Sequence, residues 1–295
     1  MHGCLSDSGI GANGLSCYLQ RVPDSDQRSK ESKAVSSWLK NQVQQWWDNV
    51  NYRAFVISLE RAKERFAHAA TLLPQLPLEG ELLPAVDGNA MSPDEVGEVY
   101  RQRQHRPIYP FELLSGEIGC FLSHRNAWRQ IVERKLDAAL VLEDDVCIDQ
   151  DEFGDVVEFA AKICPPGAFV QLPVRPLPSN ATVFACGERR RVVCPQVTPL
   201  RTSGQWVSRQ AAEKLLAVTE KFDRPVDSFL QMHWITGVRL LAIEPSGLSD
   251  MTADLGGSTI GVSKSRRLTF QKLSREIYRA WYRWRIARLS SVGYR

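Results

Sequence analysis

Three consecutive acids, Glu143, Asp144 and Asp145, follow directly on the apolar run Ala138–Leu142. The run is rich in strand formers, so the acids fall where a buried strand ends. In open α/β sheets the carboxyl edge of the strands is where ligands bind. Adjacent carboxylates repel one another unless a cation or a donor-rich ligand offsets them. Hard divalent ions such as Mg²⁺ or Mn²⁺ prefer oxygen ligands and also bridge to phosphates. The triplet therefore points to a metal-assisted site for a phosphate-bearing substrate. A solvated acidic face is the plainer reading, but the residues that follow, Val-Cys-Ile-Asp, alternate like a strand rather than opening a helix.

Four further segments carry chemistry-bearing residues. The first apolar run ends in Ser58-Leu59-Glu60-Arg61, with Arg65 one helical turn on. A strand-to-helix turn offers backbone N–H groups and a positive dipole end, which suit phosphate. Arg61 and Arg65, at i and i+4, would share one helix face there. In SGEIGCFLSHRNAWR, residues 115–129, Gly119 allows close backbone approach and Ser123 and His124 can hydrogen-bond a ligand. No acid is spaced to make a nucleophilic triad with that pair. In RPVDSFLQMHW, Asp227 is placed to cap a short helix, and His233 is a candidate late metal ligand. The polar segment PSGLSDMTADLGGSTIG reads as a loop that orders over a substrate.

Elements that would position these residues can be read from periodicity. Strands are expected at 52–59, 82–86, 138–142, 168–172, 181–185 and 238–243. Helices are expected at 60–73, 92–103, 115–135, 153–163 and 208–219. Ser92 followed by Glu95 is a capping-box pattern. Strands alternating with helices imply a largely parallel α/β sheet. Residues 1–50 lack periodicity up to about Ser36 and read as a partly disordered leader, with a short helix carrying Trp38, Trp46 and Trp47 at its end.

Charge is unevenly spread. The 295-residue chain has a net charge of +3. Lys264–Arg295 holds ten Lys or Arg and one acid, leaving 27 basic against 33 acidic residues in the rest. Phe270, Leu273, Ile277, Trp281 and Trp284 recur at 3–4 spacing within that basic stretch. Basic, aromatic amphipathic helices lie at anionic membrane surfaces. No RNA-binding motif accompanies the charge, so no nucleic acid partner is expected. The seven cysteines are irregularly spaced, with no C-x-x-C, which argues against a zinc site and a secreted disulfide framework. No apolar stretch approaches a membrane span, and the first residues lack a secretory signal pattern. A cytoplasmic location is the expectation.

FVISLERAKER, the AVDG turn at 85–88, GEIGCFLSHRNAW, ALVLEDD, SGQWVSRQAAEKLL, PVDSFL and the GGSTI ending, in this order, resemble glycosyltransferase family 25, the bacterial lipooligosaccharide galactosyltransferase-like family. The resemblance implies a GT-A-like single domain with a Rossmann-like, mostly parallel sheet over residues 51–262, here extended by a basic amphipathic C-terminal helix in 263–295. It implies an inverting transfer from a nucleotide sugar, commonly UDP-galactose, with Mn²⁺ or Mg²⁺. Glu143 and Asp145 would then hold the metal. Asp144 would contact the donor, near Ser58, Arg61, Arg65, Asp87, Ser123 and His124. Asp227 would be the base that deprotonates the acceptor. Trp206 stands where the family often has Tyr, which bears on acceptor stacking.

The expected activity is transfer of a hexose to a lipopolysaccharide, lipooligosaccharide or other lipid-linked saccharide, at the inner face of the cytoplasmic membrane. Two rivals are a catalytically silent sugar- or membrane-binding protein of this fold and a metal-dependent nucleotidyltransferase. The intact triplet and the lack of a Walker A motif favour the transferase.

Overall fold

The computed structural model describes residues 50–178, 181–257 and 269–292, with side chains of the last segment described from 275 to 291. The chain divides into two compact units, residues 1–50 and 51–295. The expected leader and the Trp38–Trp47 helix lie outside the described residues.

In the second unit the strands are β1 (Tyr52–Ser58), β2 (Gly80–Pro84), β3 (Ala138–Glu143), β4 (Val146–Ile148), β5 (Phe169–Gln171), β6 (Thr182–Cys186), β7 (Arg191–Cys194), β8 (Gly204–Ser208), β9 (Leu240–Glu244) and β10 (Leu248–Asp250). The helices are α1 (Lys63–Leu72), α2 (Pro93–Val99), α3 (Ser115–Glu133), α4 (Phe153–Ile163), α5 (Arg209–Val218), α6 (Val226–Leu230), α7 (His233–Thr236) and α8 (Thr269–Val292). Eight strands form one sheet in the order β2-β1-β3-β8-β5-β9-β7-β6. β7 and β8 run against the other six. The expected α/β architecture with a mostly parallel sheet and a C-terminal helix is thus borne out, with two reversed strands that periodicity did not reveal. β8 was hidden because its sequence, GQWVS, neither alternates nor forms an apolar run.

Alternation about the sheet sorts the core. Phe55, Ile57, Ala139, Val141, Phe169 and Val207 join one cluster with residues of α3, α5, α6 and α8. Ala54, Val56, Leu140 and Leu142, one position along, are buried outside it, as the two-residue side-chain period requires. β3 is therefore covered on both faces, which is why its sequence is an unbroken apolar run. Along α3, Phe121, Trp128 and Ile131 are fully buried, and Phe121 stacks on Phe222 at 3.8 Å between ring centroids. Ser92 and Glu95 form the expected capping box at α2.

The helix α8 forms, and Ile277, Trp281 and Trp284 of the stripe picked out in the sequence are exposed, as is Tyr278, while among its described side chains Tyr282, Ile286 and Ser290 are buried. A buried node holds it. The Arg224 guanidinium donates to Tyr282 Oη (3.0 Å), to the Pro107 carbonyl (2.9 Å) and to both oxygens of Asp223. Arg275 and Arg279 lie over the Phe111 ring. The helix is thus amphipathic twice over. A tyrosine–isoleucine stripe meets the core, and a tryptophan stripe faces outward.

The site's geometry rests on one close backbone crossing. A Cβ at Gly119 would lie 2.5 Å from the Val86 carbonyl oxygen and 2.7 Å from the Gly88 nitrogen. These are backbone atoms that cannot swing away. Gly119→Ala is therefore expected to destabilise the fold by about 1–3 kcal/mol, read from urea unfolding midpoints. Gly97→Ala, with nothing near its Cβ position, is the matched control and should cost little.

Candidate functional site

β1 and β3 are parallel neighbours, so Ser58 and Glu143 end side by side at the carboxyl edge. The chain then turns through Asp144 and Asp145 into β4, which pairs with β10 in a separate two-stranded sheet. That pairing brings Thr252 over the turn. The Met251 amide donates to the Asp145 carbonyl at 2.8 Å, and Thr252 Oγ1 donates to Asp145 Oδ2 at 2.8 Å.

Each carboxylate of the triplet has its own partners. Glu143 Oε1 accepts from His124 Nε2 (2.9 Å) and from Thr202 Oγ1 (2.6 Å). Gln205 Nε2 donates to His124 Nδ1 at 3.3 Å, which leaves the ring proton on Nε2, facing Glu143. Asp144 Oδ2 accepts from Ser58 Oγ at 2.8 Å. The Arg65 guanidinium bridges Asp144 Oδ1, at 2.9 Å, and Asp145 Oδ2.

The balance of burial and partners sets each pKa. Burial works to raise Glu143, but the His124 hydrogen bond, with Thr202 and the charge of Arg65, outweighs it and holds the carboxyl below its usual range. Asp144 is raised, by burial first and then by Glu143, despite Arg65 and Ser58. Burial and the Glu143 charge push Asp145 up to about 6. One guanidinium does not offset the negative charge gathered here.

Two cavities meet at the triplet. The first, about 100 Å³, is lined by Ser58, Arg61, Arg65, Asp87, Ser123, His124 and all three acids. The second, about 360 Å³, is lined by Glu143 and Asp145 together with Glu117, Arg201, Thr202, Asp227 and Thr252. The structure therefore brings ten of the eleven residues picked from sequence to one place. His233 is the exception. Its Nε2 faces the Ser290 carbonyl at 3.4 Å and it lines neither cavity. α7 turns it toward α8 rather than toward the sheet edge.

Several finer expectations change. α1 begins at Lys63, so Arg61 sits in the turn before it and does not share a helix face with Arg65. Arg61 pairs with Asp87, and that hydrogen bond holds the Asp87 carboxyl below its usual range. Ser123 Oγ is spent on the backbone, accepting from the Val86 amide and donating to the Gly119 carbonyl. Asp227 lies within the first turn of α6 rather than capping it. Its carboxylate accepts from the Arg201 and Ser228 amides, and burial raises its pKa, as does Glu143. Trp206 is buried, with Tyr52 edge-on at 4.9 Å, and lines neither cavity.

Sequence reasoning passed over Glu117, Thr202 and Thr252. Glu117 accepts from the Leu114 amide and is raised by burial and then by Asp227. A Glu three residues after a helix cap is a readable signal for the start of α3; nothing local marks Thr202 or Thr252. Cys120, His124 and Glu143 also place their ligand atoms within 4.8 Å of one another. Burial drives the Cys120 thiol well up, so it stays protonated and is a poor partner for a hard ion.

The raised Asp145 gives a pH signature. Its folded carboxyl holds the proton more tightly than the unfolded one. The stability this contributes is present at low pH and is lost as pH rises from about 4 to about 6. Relative to Asp145→Asn, the native protein is expected to lose on the order of 1–3 kcal/mol across that window in metal-free buffer. Urea titrations at both ends measure it, and parallel curves for the two proteins would refute it.

Part of the chain is similar to known glycosyltransferases. Residues 51–173 match the sequence model of glycosyltransferase family 25 (LPS biosynthesis protein). A glycosyltransferase 25 family member of Drosophila melanogaster is 38% identical over 97 residues, covering 32% of this chain and 16% of that protein. Human procollagen galactosyltransferase 2 is 35% identical over 99 residues, 31% of this chain and 15% of that one. The aligned segment thus spans about a sixth of these relatives. Among solved structures, a glycosyltransferase involved in the glycosylation of the major capsid of PBCV-1 overlaps 55% of this chain and 62% of its own, with 10% identity and a TM-score of 0.29. The segment 51–173, which runs from β1 to just past β5 and contains the acid triplet, is the part of the chain similar to glycosyltransferase family 25.

Proposed function

We propose that the chain is an inverting, metal-dependent hexosyltransferase that uses a UDP-hexose, with UDP-galactose the first donor to test. The observation that carries this reading is the shared cavity. Asp227, a carboxylate of raised pKa, opens onto the same space as Glu143 and Asp145. Arg61, Arg65 and Ser58 border the adjoining cavity, where the diphosphate of a donor would lie. The family match over residues 51–173 supports the same chemistry.

The donor set suits a hard cation. Glu143, Asp144 and Asp145 present carboxylate oxygens in one cavity, and their charge exceeds what Arg65 supplies. These residues would hold Mn²⁺ or Mg²⁺, which would supply Lewis-acid offset of the charge on a departing UDP. The residues of the chain do the rest. His124 and Thr202 fix Glu143. Thr252 brings the β10 loop onto Asp145. Asp227 takes the proton of the acceptor hydroxyl, and its raised pKa suits a base working near neutrality. Glu117 shares the cavity and is the alternative base.

The acceptor would approach from the opposite half of the sheet edge. There a cavity of about 1150 Å³ is bordered by the loop after β5, the β6–β7 hairpin and the residues after β9. We take a lipid-linked or lipopolysaccharide-type saccharide as its occupant. The outward tryptophan stripe of α8 would seat the protein at an anionic membrane on the cytoplasmic side. Arg285 and Arg288 lie over Trp281 and Trp284, 5.6 and 5.5 Å from the ring centroids. Among the described residues no helix is long and apolar enough to cross a membrane.

Purified protein with Mn²⁺ is expected to release UDP from a UDP-hexose. Asp227→Asn should lower transfer about 10²- to 10⁴-fold while UDP affinity stays unchanged, and Glu117→Gln should have the smaller effect. If neither variant slows transfer, the base is elsewhere. For the tail, Trp281→Ala with Trp284→Ala should abolish co-sedimentation with phosphatidylserine vesicles. Because both side chains are exposed, the melting temperature should hold. Unaltered sedimentation removes the membrane role.

A further inference from the structure

Arg65 stands where a bound cation would stand. It lies on α1, only 7% exposed, and one terminal nitrogen serves both Asp144 and Asp145. We propose that Arg65 is the resident cation of this site and competes with the divalent ion, so that metal and nucleoside diphosphate enter together. The proposal rests on the metal-assisted transferase reading and adds an order to it.

The argument is electrostatic. A divalent ion at the Asp144 and Asp145 oxygens would share them with a guanidinium, and two cations a few ångströms apart in a buried site repel strongly. Binding the ion therefore requires Arg65 to withdraw. A buried guanidinium that loses its carboxylates is costly unless another anion takes their place. The diphosphate is that anion. Arg65 already borders the cavity assigned to it, together with Ser58 and Arg61, and guanidinium–phosphate pairing is strong and directional. The neutral donors can stay when Arg65 leaves. Ser58 Oγ remains on Asp144 Oδ2 and Thr252 Oγ1 on Asp145 Oδ2, so the two carboxylates keep their orientation. Arg61 cannot play this part, because it is exposed and paired with Asp87.

The consequence is a linkage. If the ion and Arg65 compete, then UDP, by drawing Arg65 away, tightens the ion, and the ion tightens UDP by the same factor. Removing Arg65 should uncouple them.

Mn²⁺ binding to the full chain, followed by the electron paramagnetic resonance of the free ion with and without UDP, tests this without any turnover. In the native protein UDP should tighten Mn²⁺ about tenfold or more. In Arg65→Met, Mn²⁺ alone should bind about tenfold tighter than in the native protein, and UDP should add little. Arg65→Lys keeps the charge, but as a compact ammonium on a different stem it does not reproduce the reach of the guanidinium. It should fall between the two, and it decides the matter if the methionine variant does not fold. If Mn²⁺ alone binds no tighter to the variants than to the native protein, Arg65 is not a competitor and the proposal is wrong. If no protein takes up Mn²⁺ even with UDP, the metal-assisted reading itself fails.

Discussion

The site depends on the cost of placing three carboxylates at the end of a strand buried on both faces. Removing charge from water is expensive, and like charges held together raise that cost further. β3 imposes both conditions, since Ala138–Leu142 are fully enclosed and Glu143 to Asp145 follow without a break. Everything near the triplet answers this constraint. Arg65 comes from α1, His124 from α3, Thr202 from the approach to β8 and Thr252 from the turn after β10. Distant pieces of chain converge here because each supplies a proton or a charge that the carboxylates lack.

The compensation is uneven. Glu143 is held ionised by a histidine and a hydroxyl, while its neighbours keep raised proton affinities. That unevenness separates two roles within one run of acids. Glu143 is a fixed point of the structure, tied to two elements. Asp144 and Asp145 share one counterion, the Arg65 guanidinium. A second carboxylate zone, Glu117 and Asp227, lies across the same cavity with raised pKa values of its own.

Much of this was legible because it obeys local rules. The apolar run of β3, the capping box at Ser92 and the small residue at Gly119 each follow from a requirement visible in a few neighbouring residues. Ser58, Arg61, Arg65, Asp87, Ser123, His124 and Asp227, which line the two cavities, were picked out for the same reason, as polar residues at strand ends or in short motifs. The misses have a common cause. Thr202 and Thr252 matter only because of pairings formed across 59 and 107 residues of chain. His233 looked like a ligand by residue type, yet short-helix geometry turns it away. The α8 stripe of Ile277, Trp281 and Trp284 faces outward as read, but the second stripe, Tyr282 and Ile286, which meets the core, went unseen because the Tyr282 hydroxyl finds its partner in Arg224, far off in the chain.

The buried Arg224–Tyr282 contact has a mechanical meaning. It joins α8 to the turn before α6 and, through the Pro107 carbonyl, to the loop ahead of α3. A tail fastened at such a point cannot swivel like a tether. The outward tryptophans and the sheet edge therefore keep one relation to each other, so a flat surface that took up the first would meet the second at a set angle.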